Sequence, residues 1–279
     1  RTALLELLED PSPVVRQSLL SHLVQLGDEG AELLRAAIAS PNRVIAQHAR
    51  WYLQELHFRD PVAEFRGYIR SPSLDLETGI LLLNRVVQPT LKGEACTAFL
   101  DQMAARCLEL LPDAGSVRSQ CQVLNRVLFR EYSFRGNTDE YADPRNSQLD
   151  QVLQRRTGIP ISLCAVYLLV ARRIGLHLEP VGAPGHFLVG CYTEESPFFI
   201  DAFREGTFLS AADVFTLLRQ QQISPHASDL APTPVREVLC RWCRNLVNHY
   251  SAAGDTAHAR LFAGFVAEFD GPVHRASGA

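Results

Sequence analysis

The sequence predicts an α+β fold in three parts: a front half of repeated helices, a core of helices and strands, and a helical hairpin at the end. Three observations lead to this prediction. Prolines recur at intervals near 30 residues in the front half. A long apolar segment in the middle precedes three short runs of β-forming residues, and two amphipathic segments close the chain. We place the three parts at residues 1–112, 113–219 and 220–279.

The composition indicates a protein with a packed core. Hydrophobic residues make up 47% of the 279 residues and charged residues 21%, which argues against global disorder. The formal net charge is −4, and Lys92 is the single lysine. A weakly acidic chain lacks the basic field that non-specific nucleic-acid binding needs, so we expect no nucleic-acid partner.

The seven cysteines indicate a reducing compartment. Their number is odd and most lie in apolar runs, unlike the even, loop-borne set of a disulfide scaffold, so we expect a cytoplasmic protein. No apolar run reaches the ~18 residues of a membrane span, and the chain does not open with a signal peptide; we expect no membrane association. Cys240 and Cys243 have the spacing of half a zinc site, but no second pair follows, so we expect neither metal nor cofactor.

The front half contains three segments that begin alike, with Asp10-Pro11, Ser40-Pro41 and Ser71-Pro72. The prolines are 30 and 31 residues apart. Asp or Ser is a good N-cap and Pro is favoured at the first helical position, so each segment has room for two helices and a turn. This spacing predicts a HEAT-like α-solenoid. The alternative is three ordinary helices that begin with proline, and the solenoid is either a partner scaffold or a structural support.

The middle of the chain predicts a buried helix packed on a small antiparallel sheet. Residues 163–174 are almost wholly apolar, and a helix that is apolar on all sides belongs in a core. Three β-like runs follow, with Glu194, Glu195 and Ser196 as a hairpin turn between the last two. The runs are Leu178–Val181, His186–Tyr192 and Pro197–Phe203.

Two polar residues stand where these strands begin and end. His186 is at the start of the second run, and Asp201 follows Phe198-Phe199-Ile200 near the end of the third. A buried acid is costly unless it is paired, so we expect His186 to contact Asp201. A helix N-terminus beside such a pair is the arrangement that activates a nucleophile: the dipole favours a thiolate, the imidazole takes its proton, and the carboxylate orients the imidazole.

Four ordered blocks carry a family resemblance: DPRNSQLDQVLQRRTGIPISL (143–163), YLLVARRIGL (167–176), PGHFLV (184–189) and FFIDAF (198–203). Together they resemble the second type of transglutaminase core, which occurs in SirB-type bacterial proteins and certain F-box proteins and has a papain-like plan. The resemblance places His186 and Asp201 at the family's histidine and aspartate. Relatives often combine this core with helical repeats, and our predicted helices 235–250 and 257–269 resemble one tetratricopeptide unit.

The nucleophile departs from the catalytic pattern. Counting back fifteen residues from Gly175, where catalytic transglutaminases carry a cysteine, leads to Pro160, and Ser162 is the nearest hydroxyl. Cys164 lies one helical turn, ~6 Å, beyond Pro160, among apolar neighbours that indicate an inert thiol. Ala202 also replaces the proline of the family's I-D-P-F block, which loosens a turn without removing a functional group.

We therefore predict a degenerate transglutaminase-like domain that binds a protein or peptide, in a regulatory role and without catalysis. The alternative is a hydrolase or acyl-transfer enzyme in which Cys164 or Ser162 attacks an amide, His186 is the base and Asp201 orients it. The candidate site residues are thus His186, Asp201, Cys164 and Ser162. The sequence names no substrate and no oligomeric state.

Overall fold

The computed structural model describes residues 7–10, 12–56, 60–112 and 115–271. These residues form two compact units, one within Arg1–Gly67 and Leu82–Leu91, the other within Tyr68–Leu81 and Lys92–Ala279. The three-part division at residues 112 and 219 stays a prediction. Pro11 of the first repeat, and residues 113 and 114 at the predicted boundary, lie outside the described residues.

The first unit contains helices that pack around one apolar cluster. Leu19 and Leu23 of the first helix, Leu34 of the second, and Ala49 and Tyr52 of the third are all buried in it. A helix of this kind is held mainly by the apolar face that it buries. In chain order the helices are α1 (Pro13–Leu26), α2 (Asp28–Ile38), α3 (Arg43–Glu55) and α4 (Pro61–Ile69), and α5 (Leu76–Val87) follows.

The helices begin later than the proline pattern predicts. Pro41 and Pro72 lie in the turns before α3 and α5. The N-cap of α3 is Asn42, whose side chain accepts a hydrogen bond from Val44 N at 2.9 Å. Asp75 is likewise the N-cap of α5, because its side chain accepts a hydrogen bond from Thr78 N at 3.0 Å. A side-chain oxygen that satisfies a free helical N–H sets the start of the helix, and proline alone does not. Each of the two proline intervals contains two helices.

A buried helix stands at the centre of the second unit, as the sequence predicts. Residues 160–171 of this helix are all buried. Three helices precede it: α6 (Gly93–Leu110), α7 (Val117–Asn125), which continues into a π-helical turn (Arg126–Glu131), and α8 (Leu149–Arg155). The buried helix itself is α9 (Pro160–Arg173). A parallel two-stranded pair, β1 (Arg135–Gly136) with β2 (Thr157–Gly158), was not predicted.

A four-stranded antiparallel sheet follows α9, with its strands in chain order. Its strands are β3 (Glu179–Val181), β4 (Leu188–Cys191), β5 (Phe198–Asp201) and β6 (Thr207–Leu209). The sequence analysis predicted the first three and missed β6, which is only three residues long. The second strand begins at Leu188, so His186 lies in the turn before it.

Three more helices complete the described chain: α10 (Ala211–Gln220), α11 (Val235–Ala252) and α12 (Thr256–Phe269). The last two pack against each other around Leu246, Tyr250 and Phe262, and Gly254 makes the turn between them with φ +75°. The structure is therefore α+β, as predicted, and mostly helical.

Candidate functional site

The predicted contact between His186 and Asp201 is present. Asp201 is the last residue of β5, and its Oδ2 atom lies 2.8 Å from Nε2 of His186. His186 is held in the preceding turn, where its N–H bonds to Ala183 O at 3.1 Å. Gly185 enters that turn with φ +70°, a conformation that suits glycine. The turn thus positions the imidazole over the end of the neighbouring strand.

Asp201 is completely buried, and donors surround its carboxylate. Its Oδ1 atom accepts hydrogen bonds from Phe203 N at 3.1 Å and Arg204 N at 3.2 Å, because Asp201 caps the short 3₁₀ helix that follows β5. Its Oδ2 atom accepts from His186, and Arg204 Nε is 3.7 Å away. Both oxygens therefore have hydrogen-bond partners, which is what a buried carboxylate requires.

This network assigns the hydrogen of the neutral imidazole to Nε2, because a carboxylate oxygen accepts it. The Nδ1 atom has no hydrogen-bond partner among the described residues. The His186 side chain is 17% exposed and lines a pocket of about 30 Å³, with room for a water molecule or two. Arg204 and Gln221 line the same pocket. The imidazole can thus accept a proton or a hydrogen bond from a bound molecule.

The Ser162 hydroxyl is not directed at this histidine. It donates to Ile159 O at 3.1 Å and accepts from Ile159 N at 3.0 Å, so it closes the N-terminal cap of α9. The side chain is fully buried. A Cβ at Gly158 would lie only 2.6 Å from Ser162 Oγ, so the neighbouring main chain also encloses it. The structure therefore gives Ser162 a local structural contact and does not bring it to His186.

Cys164 lies closer to the pair, but its thiol is engaged with the main chain. It is fully buried, and Sγ donates to the carbonyl of Phe187 at 3.3 Å. Burial raises the pKa of this thiol well above its usual value, and the charge of Asp201 raises it further. A main-chain N–H at Ala202 and the charge of Arg241 lower the pKa, with less effect. Cys164 is thus a protonated thiol beside the site.

Arg241 is a site residue that the sequence analysis missed. Its Nη2 atom donates to the carbonyl of His186 at 2.7 Å, and its guanidinium carbon lies 5.4 Å from the ring centre of Phe187. It therefore holds both residues of the turn that carries the imidazole. Arg241 lies on α11, 55 positions along the chain from His186. No sequence pattern joins the two, so only the tertiary structure could reveal this contact.

Gln221 is a second residue without a sequence signal. It follows α10 and lies against the turn of His186, so that a Cβ on Gly185 would be 2.6 Å from Gln221 Oε1. Its side chain covers part of the pocket beside the imidazole. A ligand at His186 would therefore contact or displace this amide.

Three further observations concern metal binding and membrane insertion. In the ranges that the structure describes, no three His, Cys, Asp or Glu side chains converge as metal ligands would. Cys240 and Cys243 lie on α11 as free, buried thiols. Within the same ranges, the combination of length and hydrophobicity needed for a bilayer crossing is not found in any helix.

Comparisons with known proteins identify a family and several relatives. Residues 94–244, more than half of the chain, match the family model described as the transglutaminase-like superfamily. A UPF0162 protein of Xylella fastidiosa (strain 9a5c) is 40% identical over 139 residues, covering 46% of this chain and 48% of the relative. A UPF0162 protein of Pseudomonas aeruginosa is 33% identical over 177 residues, covering 62% and 64%.

A eukaryotic protein is also similar to part of the chain. Human F-box only protein 21 is 37% identical over 143 residues, covering 47% of this chain and 22% of that protein. The matched part is thus about half the length of the Xylella relative and about a fifth of the human one. No solved structure matches the chain.

Proposed function

Because the chain belongs to the transglutaminase-like superfamily but has both predicted nucleophiles engaged elsewhere, we propose that its core binds a protein or peptide and does not catalyse. The observation that supports this proposal is that each predicted nucleophile is hydrogen-bonded to the main chain. Ser162 Oγ bonds to Ile159, and Cys164 Sγ bonds to Phe187. Acyl transfer needs a nucleophile within hydrogen-bond reach of its base, and neither side chain meets this requirement.

What remains at the site suits recognition. The imidazole of His186 keeps an unpartnered Nδ1 acceptor among the described residues, Arg204 offers a guanidinium, and Gln221 offers an amide. These groups can pair with the N–H and C=O groups of a peptide main chain. The fully satisfied Asp201 keeps the imidazole in one orientation. A cleft that resembles an active site but has no nucleophile binds its ligand without converting it. We therefore propose that this binding is regulatory.

A second part of the proposal concerns the helices outside the core and the location of the protein. We propose a SirB-type protein whose front helices are HEAT-like, whose last two helices are tetratricopeptide-like, and whose front unit is a second contact surface. The paired helices in each proline interval and the packed pair α11 and α12 support this proposal. A cytoplasmic location is proposed on similar terms, because all seven cysteines are free and buried, which suits a reducing compartment.

The rival function is a hydrolase or acyl-transfer enzyme with Cys164 or Ser162 as nucleophile. One observation favours Cys164: its thiol bonds to the carbonyl of Phe187, the residue next to His186. A turn of the Cys164 side chain away from the carbonyl of Phe187 would free it. His186 would then take the thiol proton while Asp201 orients the ring.

The deciding experiment is the alkylation rate of each cysteine by iodoacetamide at neutral pH, read by mass spectrometry. We expect no reaction at Cys164 in the folded protein, in wild type or in His186→Ala. His177→Ala, at an exposed histidine, is the matched control. Fast reaction at Cys164 that His186→Ala abolishes and His177→Ala preserves would instead establish the thiol enzyme.

A binding experiment tests whether the core binds a peptide at His186. Peptides selected on the immobilised full chain by phage display are measured against wild type and both histidine variants. We expect His186→Ala to weaken binding of at least one selected class by roughly tenfold, or about 1.4 kcal/mol. If every selected peptide binds all three proteins equally, the cleft at His186 is not the binding site.

A further inference from the structure

A pocket of about 250 Å³ lies in the first unit, on α1 and α3. Five side chains line it: Arg16, Gln47, His48, Trp51 and Tyr52. Its volume approaches the lower end of ligand sites, roughly 300 Å³. It is also much larger than the space of about 30 Å³ beside His186. Nothing in the chemistry of His186 and Asp201 uses this pocket.

One wall of the pocket is an exposed tryptophan. Trp51 is 44% exposed, although its neighbour Tyr52 is 2% exposed. The two rings meet edge to face, with centroids 4.9 Å apart and planes at 74°. Val44, two helical turns before Trp51 on α3, is 47% exposed. A solvent-exposed aromatic ring that a neighbouring ring holds in place is a favourable binding surface for a large apolar side chain.

Several polar atoms of the pocket have no hydrogen-bond partner among the described residues. The Tyr52 hydroxyl forms no hydrogen bond with any described residue, although the side chain is almost fully buried. Arg16 is exposed and forms no ion pair within the described ranges. His48 Nδ1 donates to Leu8 O at 2.5 Å, so its Nε2 atom stays open among the described residues. A guanidinium, a phenol and an imidazole therefore share one small space.

The charge of the two helices is opposite to that of the chain. Arg16, Arg43 and Arg50 are exposed on α1 and α3, and Glu55 is the single acid in the two helices. The whole chain carries −4. Glu9 accepts a hydrogen bond from Asn42, the residue before α3. A basic face on an acidic protein selects an acidic partner.

We propose that this pocket binds an acidic peptide segment with a large apolar side chain. The apolar side chain would lie on Trp51, and a carboxylate would accept hydrogen bonds from Arg16 and the Tyr52 hydroxyl. The inference rests on the proposed binding function, and it names the partner's chemistry for the second contact surface. It requires no contact at His186.

The test uses the full chain and a dye-labelled peptide Glu-Glu-Phe-Glu-Glu, with fluorescence anisotropy as the readout. We expect binding that Arg16→Glu and Trp51→Ala each weaken by roughly tenfold. Arg219→Glu makes the same charge change at an exposed arginine of α10 and should bind as wild type does. His186→Ala should also bind normally, which separates this site from the cleft.

Two variants of the peptide test the apolar contact and the charge contact separately. Glu-Glu-Ala-Glu-Glu removes the anchor and Lys-Lys-Phe-Lys-Lys reverses the charge, and we expect both to bind at least tenfold more weakly. Trp51 provides a second readout, because the other tryptophan, Trp242, is fully buried. Bound peptide should change Trp51 emission, and the change should vanish in Trp51→Phe.

Three results would overturn the proposal. The first is an acidic peptide that binds no tighter than its lysine counterpart. The second is equal binding by wild type, Arg16→Glu and Trp51→Ala. The third is concentration-dependent dimerisation in sedimentation that Trp51→Ala abolishes, because a second copy of the chain would then cover the pocket.

Discussion

His186 Nε2 lies 2.8 Å from Asp201 Oδ2, while Asp201 Oδ1 accepts two main-chain hydrogen bonds from Phe203 and Arg204. The fully buried carboxylate of Asp201 therefore connects the end of β5 with the 3₁₀ helix that follows it and with the imidazole in the turn before β4. The same contacts orient a base in an enzyme and stabilise a fold in a binding protein. Measurements on single residues can separate these two roles.

Asp201→Ala should destabilise the protein by ~3 kcal/mol, because it leaves two partly buried main-chain N–H groups and the imidazole without an acceptor. The shift of the urea midpoint measures this. Asp213→Ala removes the exposed carboxylate that accepts hydrogen bonds from Ser210 N and Oγ at the start of α10, and it should cost only ~1 kcal/mol. Equal losses in the two variants would show that the network around Asp201 contributes little.

The same variant should change the imidazole tautomer. In wild type we expect the neutral ring of His186 to carry its hydrogen on Nε2, as the bond to Asp201 requires. Long-range ¹H–¹⁵N spectra distinguish the two ring nitrogens directly. In Asp201→Ala the spectrum should show a mixture of tautomers. A wild-type ring that is already mixed would contradict the hydrogen bond.

Ser162→Ala should lower stability by ~1 kcal/mol, since Ile159 N loses its acceptor at the start of α9. Peptide binding should not change, because the hydroxyl does not reach the His186 pocket. Ser251→Ala, at an exposed position of α11, is the matched control and should have little effect. A loss of function at unchanged stability would assign Ser162 a chemical role instead.

Arg241→Ala should weaken ligand binding at His186 and lower stability, because the carbonyl of His186 loses a 2.7 Å hydrogen bond. Arg241→Lys should restore little, since an ammonium cannot stack on Phe187 as a guanidinium does. Affinity for a cleft-binding peptide, compared with the unfolding midpoint, distinguishes positioning from general stability. Full rescue by lysine would mean that only the positive charge matters.

His249 should make the protein sensitive to acid. Burial lowers the pKa of this histidine below its usual value, and the charge of Asp143 opposes the shift. The unfolded chain then binds the proton first, so the contribution is complete above about pH 6.5 and is lost as pH falls through the folded pKa. His249→Gln should therefore reduce the loss of stability between pH 7 and pH 5.

The matched control for this pH dependence is His177→Gln, at an exposed histidine. Its urea midpoint should change with pH as that of wild type does. An equal pH dependence in wild type and His249→Gln would show that other groups cause the acid sensitivity.

Elements with strong local patterns were predictable. Residues 163–171 are apolar on every side, and such a run fits a buried helix. The Asp201 acid after an apolar strand needed a partner, and His186 was the histidine one strand away. By contrast, β6 has no fully buried residue, so no apolar run marks its pairing with β5 in the sequence. The helix starts at Asn42 and Asp75 were missed because proline was given too much weight as a start signal.

The sequence by itself determined the α+β class, the buried helix and the antiparallel sheet. Each of these follows from a local pattern of apolar and polar residues. Only the tertiary structure decided what Ser162, Cys164 and Arg241 do. Each has several possible hydrogen-bond partners. In the structure Ser162 bonds within the cap of its own helix, whereas Cys164 and Arg241 bond to carbonyls of the turn at His186 and Phe187. Local pattern specifies which residues are buried, whereas the contacts of a buried polar group depend on chain segments far apart in sequence.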